Sequence, residues 1–148
     1  MLNLIHMQNW TFIPLALGSA AFAALVAIFG KIGIKGLDST LATALRSVIM
    51  TGFLLVVAGL TGKFSGFGAV NGRAWLYIIL SGVAGALSWL CYFLALKLGP
   101  TTPVAALDRL SVVFVIVLAA LFLGERLTWY TAGGAALISL GAVLTVLK

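Results

Sequence analysis

The chain has 148 residues and carries nine Lys/Arg against three Asp/Glu, a net charge of +6. Only 8% of its residues are charged and 63% are hydrophobic, where a soluble domain carries roughly 25% charged residues. With a mean hydropathy of +1.22, the apolar surface is too large for a water-soluble fold of this size to hide, so soluble enzyme classes are excluded and the chain reads as an all-α, polytopic membrane protein. The basic excess is not a nucleic-acid footprint, because the cations are scattered singly at the ends of apolar runs, where loop and interface anchors belong. Cys91 is the single cysteine and lies mid-span, so no disulfide framework exists.

Five apolar runs follow one another, over residues 12–29, 39–60, 74–96, 103–123 and 127–147. A membrane helix needs about 20 residues, with a range of about 17–25, so each run spans alone and residues 1–148 read as one transmembrane unit. The opening MLNLIHMQNW holds no Lys or Arg. A secretory leader needs a positive start, so the first run is not expected to be a cleaved peptide, and His6 reads as an interfacial residue. Pro14 falls in the first turn of run 1, where a missing N–H costs little. Gly30 to Gly36 end that run, and Asp38, Ser39 and Thr40 are N-cap candidates for run 2. Thr61-Gly62-Lys63 stops run 2, and the stretch from Phe64 to Gly72 is the longest loop, expected at the interface. Gly99-Pro100-Thr101-Thr102-Pro103 separates runs 3 and 4, with Thr102 expected as N-cap and Pro103 as the first helical residue. Gly124-Glu125-Arg126 is a tight turn, after which Arg126 or Thr128 opens run 5. Trp10, Trp75, Trp129 and Tyr130 all fall at run ends, as an aromatic belt places them.

Let side A hold the N-terminus. Five spans then put Lys63, Arg73 and Arg126 on side A, and Lys31, Lys35, Lys97 and Lys148 on side B. Orientation follows the difference in Lys/Arg between sides, which here is nearly nil, so the chain is expected to insert both ways up. The alternative is one orientation set by Lys31 and Lys35, with side B cytoplasmic.

Three charges lie within the spans: Arg46, Asp108 and Arg109. Ionisable groups at depth need a partner or a water-filled cavity. Runs 2 and 4 both enter from side B, and at about 1.5 Å per residue all three charges sit at one level, so an Arg46–Asp108 pair is feasible. Asp108 and Arg109 are adjacent on a helix, point roughly 100° apart, and are not expected to face one partner. Either Asp108 neutralises Arg46 between packed helices while Arg109 snorkels to side B, or the trio lines a cavity for substrate or proton. Two arginines against one carboxylate would suit an anionic or zwitterionic group.

Run 2 also carries Ser39, Thr43, Ser47 and Thr51 at i+4 spacing, and run 3 carries Ser81, Gly85, Ser88 and Tyr92 with Trp89 alongside. Such stripes face protein or water, either as packing contacts or, for Ser47, Ser88, Trp89 and Tyr92, as cavity walls. The small face of run 1 (Ala16, Ser19, Ala20, Ala23, Ala24, Ala27) reads as packing. KIG then ALRSVI, from Lys31 and Ala44, is echoed by KLG then ALDRLSVV, from Lys97 and Ala106, as a duplicated helical hairpin would produce. No catalytic constellation, metal cluster or phosphate loop is visible, so no enzyme activity, cofactor or metal is expected.

The stretches FGKIGIKG, ATALRSVI, SWLCYFLALKLGP, PVAALDRLSVVF and LFLGERLTWYTAGGAALISLGAVL, in this order and spacing, resemble one EamA domain of the drug/metabolite transporter superfamily. The resemblance runs from about Trp10 to Lys148. Longer members hold two five-helix halves in inverted orientation, so this chain is similar to the single-domain bacterial and archaeal type. That resemblance implies an antiparallel homodimer in a prokaryotic inner membrane, in contact with lipid, exporting a small metabolite or drug-like solute by alternating access. The related small multidrug resistance proteins use a Glu in their first helix. Run 1 here has no acid, so a proton-coupled step of that kind would have to use Asp108. Two other roles remain open: half of a heterodimeric flippase for a lipid-linked group, and a membrane scaffold that transports nothing.

Overall fold

The computed structural model of the chain describes residues 12–147; His6, Trp10 and the N-terminal reading lie outside them. Five helices long and apolar enough to cross a membrane follow in order: α1 Phe12–Gly33, α2 Ser39–Leu60, α3 Gly72–Leu98, α4 Thr101–Leu123 and α5 Trp129–Val146. Among the described residues there is no strand.

The helix ends show what local chemistry starts and stops each span. α1 runs four residues past its expected end, because Gly30 stays inside the helix and its carbonyl accepts from Ile34 N at 3.0 Å. Asp38 caps α2, accepting from Thr40 N at 2.9 Å and Leu41 N at 3.0 Å. The amide of Leu41 is the main reason its carboxyl is held below the usual value, with the Thr40 amide and the Lys97 charge adding to it. The stretch expected as a loop holds a 3-10 helix, Lys63–Ala69, whose Phe67 ring meets Trp75 edge-on at 5.3 Å. Asn71 caps α3, accepting from Ala74 N at 2.8 Å, so the helix begins before its apolar run does.

α4 departs most from expectation. Its N-cap is Pro100, which makes Thr102 and Pro103 the second and third helical residues. The shift is harmless, because the first four N–H groups of a helix have no intrahelical acceptor for Pro103 to forfeit. At mid-span the helix tightens: Arg109 N bonds Ala106 O and Leu110 N bonds Leu107 O, both three residues back. It ends in a π-helical turn, Ala119–Leu123, closed by Gly124 at φ 69°, a left-handed position that favours glycine. Thr128, not Arg126, opens α5, in a reciprocal capping box with Thr131.

α3 is the central helix and packs on α1, α2 and α4; α4 in turn packs on α1 and carries α5. The tight packing sits at one end. Ile34, Phe93 and Leu96 form the buried cluster, with Val26, Ala42, Trp89, Tyr92 and Val104 against it. Every buried residue among those described (Ala27, Ile34, Ser39, Thr43, Phe93, Leu96, Ala142) lies in the half of its helix, or in the loop, toward side B. Large apolar side chains stay exposed along all five helices. Toward side A none of the described residues is buried.

Two contacts tie the side-B end together. Lys31, in the last turn of α1, donates its Nζ to the carbonyl of Leu96 and to that of Gly99 at 2.8 Å. These are carbonyls at the end of α3, and a cation there also complements the helix dipole. Gly30 lies directly under the Phe93 ring, so that an added methyl would run into Cε1 and come within 3.1 Å of Cζ.

Gly30→Ala is therefore expected to lower the thermal midpoint of the detergent-solubilised protein, by the equivalent of about 1–3 kcal/mol for an overpacked site. Gly18→Ala, whose new methyl meets nothing within 4 Å, is expected to leave the midpoint unchanged or raise it, because alanine favours the helix over glycine. Folding lowers the Asp38 pKa, so its stabilising share is complete above the ordinary 3.8 and is lost as pH falls through the lowered value. Asp38→Asn, which keeps the acceptor, is expected to remove that acid step from a pH series of thermal midpoints.

Candidate functional site

Arg46 does not pair with Asp108. Its guanidinium carbon lies 3.3 Å from the centroid of the Trp89 ring and 4.5 Å from that of Phe93, while Nε is buried with no hydrogen-bond partner. Trp89 of α3 touches Arg46 and also lines a cavity with Asp108 and Arg109. Trp89 and Phe93, one turn apart on α3, stack at 5.6 Å and 17°, and Tyr92 meets each of them edge-on, at 6.4 Å and 5.7 Å. The result is an aromatic block with a guanidinium laid on it. A desolvated cation–π contact contributes about 2 kcal/mol, and an unmade buried donor costs about 1–3 kcal/mol. The two nearly cancel, so the aromatic contact orients Arg46 with little net stabilisation and leaves its hydrogen-bonding capacity unsaturated.

Trp89 lines two cavities. The first, about 190 Å³, is lined by Ser88, Trp89 and Tyr92 of α3, Asp108 and Arg109 of α4, and Ala23 and Val26 of α1. It gathers five of the seven residues expected at the site. Asp108 and Arg109 both line it, contrary to the expectation from their angular separation. α4 packs against α1 and α3 together, so a wide sector of its circumference faces the corner where the three helices meet. The tightened turn of α4 falls at this cavity, and mid-span 3-10 geometry commonly marks a hinge or functional site. Asp108 is half-buried and Arg109 exposed.

The second cavity, about 390 Å³, lies between α2 and α3. Arg46, Ser47 and Thr51 line it from α2, with Gly82, Gly85 and Trp89 from α3. Arg46 and Ser47 thus belong to the site through this second space and not through the first. The hydroxyl stripe of α2 contributes little free donor capacity: Thr43, Ser47 and Thr51 each donate to the carbonyl four residues back, at 2.7, 2.9 and 2.9 Å. Ser39 and Thr43 are buried and Ser47 and Thr51 exposed, so the stripe is a packing contact near side B and a cavity wall further in.

Three contributors escaped the sequence reading. Phe93 was legible as the i+4 partner of Trp89. Ala23 sat in a face read as packing alone, and a small side chain in a wall leaves no chemical signature. Lys31 was counted as a loop anchor, whereas it closes the side-B end of α3, and nothing local to KIGIKG signals a partner 65 residues away. In sum, the site has an aromatic platform, two neutral hydroxyl side chains (Ser88 and Tyr92), one carboxylate and two guanidiniums, all within an apolar bundle. Such a set can orient and hold a small polar solute; it offers no nucleophile–base pair.

Comparison with known proteins agrees with this architecture. The model of the EamA-like transporter family matches residues 10–147. A protein of Sinorhizobium sp described as an "uncharacterized transporter in cobO 3'region" is 44% identical over 137 residues, covering 93% of this chain and 96% of that protein. No solved structure matches. A family match over nearly the whole chain and a relative this similar agree: the chain is a multi-pass membrane protein belonging to the EamA-like transporter family.

Proposed function

We propose that the protein exports a small metabolite or drug-like solute across a prokaryotic inner membrane by alternating access, as an antiparallel homodimer, with no chemical conversion of the solute. The observation that carries this reading is the polar cavity at Ser88, Trp89, Tyr92, Asp108 and Arg109. It lies within the spans beside the tightened turn of α4, where transporters with inverted symmetry hold their solutes. The one-ended packing supports it too. In an inverted pair the tight side-B ends lie at opposite faces of the membrane. Loosening one end while the other stays shut would expose a shared cavity to each face in turn. The exposed apolar side chains and the near-equal count of cations on the two sides suit a second, inverted copy.

Two measurements test this reading. In a Cys91→Ser background, Ser88→Cys is expected to react to completion with a membrane-impermeant maleimide applied from either single face of sealed vesicles, whereas a static chain inserted both ways up would stop near half. Reaction from one face alone would contradict alternating access, and no reaction would favour a scaffold. Reporters active only inside or only outside, fused after Lys148, are both expected to give signal, with one added Lys on side A shifting the balance. A single active reporter, indifferent to the added Lys, would rule out the antiparallel homodimer.

A further inference from the structure

The substrate's charge class follows from how Arg46 sits, an inference that rests on the transport reading above. An aromatic platform in a membrane cavity is an ordinary recognition surface for organic cations. Here a guanidinium of the same chain already covers it, 3.3 Å from the Trp89 centroid and 4.5 Å from that of Phe93. The two cavities that share Trp89 also differ in charge. The one holding Asp108 and Arg109 is formally neutral. The one holding Arg46 has no carboxylate in its wall; its other lining residues are Ser47, Met50, Thr51, Leu54, Gly82, Gly85, Ala86 and Trp89.

An organic cation entering that space would have to displace a tethered guanidinium and face its charge across a low-dielectric gap. An anion meets the opposite situation. Arg46 is half-buried, lines the cavity, is positioned by two rings, and carries a buried Nε–H without an acceptor. The guanidinium is thereby already ordered before an anion arrives, which removes part of the cost of binding one. Arg46 also lines an apolar cavity of about 420 Å³ with Val26, Gly30 and Phe93. We propose that the cavity it shares with Ser47, Thr51 and Trp89 receives the negatively charged end of a small organic anion, with Arg46 as the anion-binding residue, Trp89 as its positioning platform, and organic cations excluded.

The test uses a matched pair of permanently charged probes, benzenesulfonate and phenyltrimethylammonium. Each is titrated calorimetrically into the purified protein in nanodiscs of zwitterionic lipid. Benzenesulfonate is expected to bind more tightly by about 10- to 100-fold, the range of one charge-assisted hydrogen bond. Arg46→Gln is expected to remove the preference and Arg46→Lys to retain part of it. The wild-type comparison stands even where a variant fails to fold. Tighter binding of phenyltrimethylammonium, lost in Trp89→Ala, would overturn the anion assignment and leave the transport reading intact. Equal binding of the two probes, a preference unchanged in a folded Arg46→Gln, or binding of neither probe would also overturn it. In each case labelling of Ser88→Cys decides the transport reading separately.

Discussion

The side-B end of α3 is the place on which the rest of this bundle depends. In lipid there is no hydrophobic force pressing helices together, because the tails are as apolar as the side chains. Association must come from close fit and from satisfied backbone groups. Both occur together at Phe93, Leu96 and Gly99. Phe93 fills the space that Gly30 leaves open on α1, Leu96 is fully buried, and Lys31 takes the carbonyls of Leu96 and Gly99. Three helices are thereby fixed to α3 at one level, and α5 joins through α4. Toward side A the described residues form no comparable cluster, and the helices are free to differ in spacing there.

Trp89 converts that scaffold into a site. It stands one turn inward from Phe93, presents one surface to the guanidinium of Arg46, and forms part of the wall of the cavity that holds Asp108 and Arg109. Arg46 is thereby kept out of reach of the carboxylate it would otherwise neutralise. A direct ion pair would leave the bundle with one surplus cation at Arg109. The aromatic contact instead leaves Asp108 and Arg109 together in the lining of one cavity and Arg46 in the lining of the other. Electrostatic asymmetry across a single side chain is what gives the two cavities different chemistry.

The two hairpins that begin at Lys31 and Lys97 show how similar sequences part company in three dimensions. α2 continues as regular helix through Arg46. α4 tightens at Arg109 and Leu110, within the stretch where ALDRLSVV has two residues more than ALRSVI. Lys31 reaches across to α3, whereas Lys97 lies exposed near Asp38, whose carboxylate it helps keep ionised. One hairpin is therefore regular through its arginine and the other is not, and the irregular one brings the carboxylate.

The existence, number and approximate limits of the five spans were legible in the sequence. So were Asp38 and Thr128, each among the cap candidates for its helix. These properties follow from length, hydropathy and local hydrogen bonding, all of which act within a few residues. The starts of α3 and α4 and the end of α1 differ from the sequence reading by two to four residues, because helix ends are set by cap geometry and not by where apolar residues stop. What only the tertiary structure decided is which groups meet. Depth fixes one coordinate of a buried charge; its direction around the helix and the identity of its neighbour depend on how helices distant in sequence cross. For that reason Arg46 rests on an aromatic ring of α3, Lys31 closes the end of a helix 65 residues away, and Asp108 shares its cavity with the arginine beside it.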